Sequence, residues 1–211
     1  AAYSKTSALR NKIFDKGWAK LKGLYLVNST TNIEEAVKGL PKTIQQAAID
    51  MYRAGSSGFA YNGFVVLFTD HLNTGTTEEN TAWASSTILH ELSHVWIMDA
   101  VFQDAISGNP SDTFKMLKHA YAMAYEQYKA DVAAGKPVHL SVDYIFKNAD
   151  SVINGTPAQA AHGINELLAV GLTEQAAAAY LHGVKLTDNT LMQTVFDALR
   201  MLAAKILNIP S

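Results

Sequence analysis

The stretch Ser86 to Asp99, STILHELSHVWIMD, sets His90 and His94 four positions apart, with Glu91 directly after the first. On an α-helix such residues stand one above the other, about 6 Å along the axis and about 40° around it. Two imidazoles so placed can address one metal ion. Glu91, about 100° around the helix from His90, can reach a water held by that ion without binding the ion itself. Zinc lowers the pKa of a bound water to about 7, and a neighbouring carboxylate can take its proton as it attacks a carbonyl. The spacing suits metal-assisted hydrolysis.

Histidines on a helix also serve as surface or packing residues. Here they lie among Ile88, Leu89, Leu92, Val95 and Trp96, so burial is expected, and buried imidazoles and carboxylates need partners. The chain has no cysteine, so a metal must rest on His, Asp or Glu. The HExxHxxGxxH pattern would need glycine where Ile97 stands and a ligand where Ala100 stands, and is excluded. Asp99 falls one position early and is read as a cap or a solvent-facing residue. The later stretch HGINELLAVGL supplies Glu166 among Ile164, Leu167, Leu168 and Val170. A carboxylate in such a run is either a ligand or half of a salt bridge, and the ligand role is preferred.

Helical spacing of Leu9, Ile13, Phe14, Trp18 and Leu21 predicts a helix from Ser4 to Leu21, followed by a strand from Leu24 to Val27. Further helices are expected over Ile33 to Leu40, ending at Pro41, and over about Thr43 to Arg53. The run Phe64 to Phe68 is the strongest strand signal. Asn80 is read as the cap of the motif helix, Thr81 to about Met98. Ser111 opens a helix to Ala134, and Val138 to Phe146 is read as a short strand. Thr156-Pro157-Ala158-Gln159 combines a capping threonine, a first-turn proline and a third-position glutamine, which starts a helix at Pro157 that runs to about Val170. Helices near Thr173 to Leu181 and Asp188 to Ile206 finish the chain. Tyr121, Tyr125 and Tyr128 recur at helical spacing as packing residues. His71, His119, His139 and His182 have no spacing partner and are read as structural or surface residues.

With 211 residues, nearly half of them hydrophobic, the chain can bury a real core. A net charge of −2 argues against a surface that tracks nucleic acid. No apolar run reaches the roughly 18 to 20 residues needed to cross a bilayer.

HELSH followed by INELLA resembles the gluzincin zinc peptidases, the group that includes thermolysin and, more distantly, the anthrax lethal factor and clostridial neurotoxin catalytic domains. The resemblance implies an α+β, zincin-like fold with a small twisted sheet in the N-terminal half and a mainly helical C-terminal half. It implies one metallopeptidase domain over 1–211, with subdomains of about 1–100 and 101–211. Zinc would be bound by His90, His94 and Glu166, with Glu91 as general base and Asn165 preceding the third ligand. The strand Phe64 to Phe68 matches the edge strand along which these enzymes hold an extended peptide. The match departs from thermolysin in two respects. Seventy-one residues separate His94 from Glu166, and Val170 stands where an aspartate would orient a zinc histidine.

An oxyanion donor is also needed, and Tyr144, His162 and Tyr180 are candidates. His162, one turn before Glu166, could instead be a fourth ligand or face solvent. No GxMEN-type motif for a substrate's free amine occurs, which favours cleavage within a chain. The resulting expectation is a zinc endopeptidase acting on protein or peptide, secreted or delivered outside the producing cell. The alternatives are a closed, non-catalytic zinc module and a zinc hydrolase acting on a non-peptide bond.

Overall fold

The computed structural model of the chain describes residues 11–12, 14–28, 32–72, 76–186 and 194–206. Two compact units are distinguished, Asn11–Trp96 and the chain from Ile97 onward.

The first unit holds helix α1 (residues 14–20), β1 (Gly23–Val27), α2 (Ile33–Ala36), a 3-10 turn (Val37–Gly39), α3 (Lys42–Arg53), β2 (Gly58–Tyr61), β3 (Phe64–Phe68) and α4 (Thr69–Leu72). It also holds the greater part of α5 (Thr77–Ile106). The strand order is β1-β3-β2, with β1 parallel to β3 from Gly23↔Phe64 to Val27↔Phe68, and β2 antiparallel to it from Gly58↔Leu67 to Tyr61↔Phe64. Alternation divides β3 between two cores. Val66 and Phe68 pack with Ile33, Val37, Ile44 and Ala48, while Val65 and Leu67 pack with Leu72 and Leu92 of α5.

That burial corrects the edge-strand expectation for Phe64 to Phe68. An unbroken apolar run belongs to a strand covered on both faces, and β3 has a hydrogen-bonded neighbour on each side. Among the described residues the edges of this sheet are β1 and β2. Strand β2 was not foreseen, although Asn62-Gly63 carries its signal. Both residues have positive φ, 50° and 83°, as the tight turn between β2 and β3 requires.

Helix α5 starts earlier and runs further than the sequence suggested. Thr76 and Glu79 form a reciprocal cap, the Thr76 N–H donating to Glu79 Oε2 at 2.8 Å and the Glu79 N–H to Thr76 Oγ1 at 3.3 Å. Asn80 therefore lies inside the helix. Close packing also fixes α5 against α1, where a Cβ at Gly17 would come within 2.8 Å of the Leu92 carbonyl oxygen.

Among the described residues the second unit is helical apart from an isolated bridge between Lys185 and Thr194. Beyond the end of α5 come α6 (Asp112–Ala133), α7 (Leu140–Phe146), α8 (Ala149–Asn154), α9 (Pro157–Thr173), α10 (Gln175–Gly183) and α11 (Val195–Ile206). Ser111 caps α6, and Thr156 with Gln159 forms the foreseen capping box on α9. Helix α9 is apolar nearly all round, and Ala161, Ile164, Leu167 and Leu168 are fully buried. It continues through Gly171 to Thr173.

Val138 to Phe146 is not a strand. Val142, Ile145 and Phe146 are buried at helical spacing, and the His139 side chain accepts the Ser141 N–H at 3.2 Å to cap α7. The Tyr121 hydroxyl donates to the Ile145 carbonyl at 2.9 Å, tying α7 to α6. Tyr125 and Tyr128 pack on Phe146, so the three tyrosines are packing residues. The expected helices over Ser4 to Leu21 and Asp188 to Ile206 lie partly outside the described residues. Among the described residues no helix is long and apolar enough to cross a membrane.

Candidate metal centre

Helix α5 carries the motif on a largely buried stretch. Leu89, Leu92 and Trp96 are buried, and the Ser93 hydroxyl is tied down on the Leu89 carbonyl at 2.8 Å. His94 and Glu91 are each 7% exposed and His90 is half-buried. The Nε2 atoms of the two histidines are 3.0 Å apart and their ring centroids 4.6 Å apart. Zinc–nitrogen bonds of about 2.0–2.1 Å at the tetrahedral angle hold neighbouring ligand atoms about 3.3 Å apart, so the pair fits a shared ion. Asp99, beyond the motif, is exposed as expected.

Glu166 is half-buried on α9, between the fully buried Ile164 and Leu167. Asn165 beside it is 3% exposed, and Val170 is buried in the core, so the aspartate position of thermolysin-like enzymes is here a packing position. Ligand atoms of His90, His94 and Glu166 all lie within 4.8 Å of one another. Two imidazoles and a carboxylate are a donor set for zinc, three protein ligands being the number that leaves a position for water. His162 is not part of this group.

Tyr144 and His162 do share surroundings with Glu166. All three line a cavity of about 440 Å³ walled by α7, α8 and α9. Tyr144 is half exposed there. Tyr180 does not share it. Its hydroxyl donates to Asp131 Oδ2 at 3.0 Å, in a network where Asp131 Oδ1 accepts from Lys136 at 2.7 Å and Gln127 at 2.9 Å. Hydrogen bonding from Lys136, then from Tyr180 and Gln127, holds the Asp131 carboxyl below its usual range. Burial, then Asp131 itself, pushes the Tyr180 phenol up. That commitment removes Tyr180 from the oxyanion candidates.

Three of the four histidines without a spacing partner have structural duties, His139 as the cap of α7. His71 contacts the Ser56 carbonyl at 2.6 Å through Nδ1 and stacks on Tyr52, and His182 stacks on Phe196. Comparison with protein-family models, with curated proteins and with solved structures finds no match to this chain.

Proposed function

We propose that the chain is a zinc-dependent endopeptidase of zincin-like fold. The observation that carries the reading is the convergence of His90, His94 and Glu166 ligand atoms within 4.8 Å, with Glu91 adjacent in sequence and not a member of the group. A zinc ion, when bound, supplies Lewis acidity and an acidified water. The chain's own residues do the rest. His90 and His94 would hold the ion from one face of α5, with Glu166 as the third protein ligand. Glu91 accepts the proton of the attacking water and returns it to the leaving amine. A half-exposed Tyr144 or the neighbouring His162 donates to the oxyanion.

For the peptide itself, the supporting feature is an edge strand. Strand β2 is an edge, and its first residue packs on α5 at Thr87, where a Cβ at Gly58 would come within 3.3 Å of the threonine methyl. Thr87 is one helical turn before His90. A substrate pairing its main chain with β2 would extend the sheet by one strand.

Glu91→Gln tests the assignment, since it keeps the volume and removes the basic carboxylate. Zinc content and folding stay, while hydrolysis of a peptide cut by the parent falls by at least about 10²- to 10⁴-fold. Loss of zinc in this variant would make Glu91 a ligand, and unchanged hydrolysis would end the mechanism.

A further inference from the structure

The cavity beside Glu166 has an apolar floor at Ile145 and Val152 and a polar rim of Lys147, Asn148, Ser151, Gln159 and His162. The rim is rich in donors. Asn148 makes no side-chain cap to α8 although it stands at the cap position, and among the described residues Lys147 is in no ion pair. The Gln159 side-chain oxygen is taken by the Thr156 N–H at 2.8 Å, which leaves the amide NH₂ as its donating end. The backbone of the first turn of α9 adds little, since Pro157 has no N–H and the Gln159 N–H is taken by Thr156 Oγ1 at 3.3 Å. An ammonium, two amides and a hydroxyl around an apolar floor form a receptor for a carboxylate on an aliphatic stem.

We propose that this cavity is a carboxylate-binding subsite that selects peptide substrates bearing an acidic side chain beside the scissile bond, a free C-terminus in its place being the outcome that would make the enzyme a carboxypeptidase instead. The proposal rests on the zinc peptidase reading. Glu166 lines the same cavity, and its negative charge would repel a second carboxylate unless a bound cation offsets it. Lys147 then sets the sign of the charge the cavity accepts.

The test uses the zinc-loaded Glu91→Gln protein and three probes: N-acetyl-glutamate α-amide, N-acetyl-alanine as the free acid, and N-acetyl-glutamine α-amide. Binding is read by NMR from the side-chain amide signals of Asn148 and Gln159. At least one acid should bind about fivefold or more tighter than the glutamine derivative, the size of effect a single partly exposed ion pair supports. Which acid is preferred tells the side chain from the C-terminus. Lys147 is exposed at the end of α7, so Lys147→Glu should fold, lose the preference and favour Nα-acetyl-lysine amide instead. Equal affinity for acids and amide in the zinc-loaded protein, or a preference that survives Lys147→Glu, overturns the proposal and leaves the peptidase reading standing. Zinc content is measured separately on the same samples. A protein that takes up no zinc ends the peptidase reading, and the subsite falls with it.

Discussion

His90 and His94 present their Nε2 atoms to each other at 3.0 Å with the rings crossed at 82°. Two neutral imidazoles at this distance share a hydrogen bond only if one carries its proton on Nε2 and the other does not. A shared metal needs both Nε2 lone pairs, which puts both protons on Nδ1. Zinc loading should therefore convert a mixed pair of tautomers into a matched one, and ¹⁵N NMR of the imidazoles would detect it. A mixed pair persisting at saturating zinc would exclude the two histidines as joint Nε2 ligands of one ion.

Zinc should also stabilise the folded chain. A ligand at 100 times its dissociation constant adds about 2.7 kcal/mol. Calorimetry should show a melting temperature that rises with zinc and returns on chelation. His90→Ala, His94→Ala and Glu166→Ala should each remove most of that rise, and a full rise in Glu166→Ala would exclude it as a ligand.

The Asp131 network predicts a pH signature at each end. The Asp131 carboxyl is held low, so its stabilisation is complete above the unfolded value of about 3.9 and is lost as pH falls through the lower folded value. The Tyr180 phenol is pushed up, so its contribution is complete below about pH 10 and declines as pH rises beyond that. Melting temperatures of the parent and Asp131→Asn should differ most between about pH 5 and 9 and converge in acid. A constant difference across the acid limb would contradict the network's role.

Packing between α8 and α9 leaves no space at Gly163, where an added Cβ would lie 2.0 Å from Val152 Cγ2. Gly163→Ala should destabilise by roughly 1–3 kcal/mol, as overpacking does. Adding Val152→Ala should recover part of that loss, and denaturant melts of the single and double variants measure the coupling.

The bond from Tyr121 to the Ile145 carbonyl is buried. Tyr121→Phe should cost about 1–3 kcal/mol, the penalty for leaving a buried acceptor without a donor. Chemical denaturation would show it as a lower midpoint at an unchanged slope.

How far these features could be read in advance depends on how local their causes are. Thr156, Pro157 and Gln159 specify the start of α9 within four residues, and Ser111 does the same for α6, so both were legible. The pairing of His90 with His94 was legible because one helical turn relates them. The segment Val138 to Phe146 fits both a two-residue and a helical period, and only burial of Val142, Ile145 and Phe146 in tertiary packing chooses the helix. The place of β3 in its sheet was hidden for a related reason. Pairing on both sides depends on β1, some forty residues away, and on β2, whose Asn62-Gly63 turn went unread. The α5 cap at Thr76 and Glu79 was obscured by Asn80, an equally good capping residue by type.

Helix α7 separates what holds it from what it offers. Val142, Ile145 and Phe146 are buried and Tyr121 grips its end, while Leu140, Tyr144 and Lys147 face outward. At seven residues it is too short to persist without that anchorage. Changes at Lys147 thus alter the wall of the cavity at little expense to the scaffold, since exposed substitutions away from such anchors shift stability by only about 0.5 kcal/mol. A library randomised at Lys147 should therefore yield mostly folded proteins that differ in what the cavity binds.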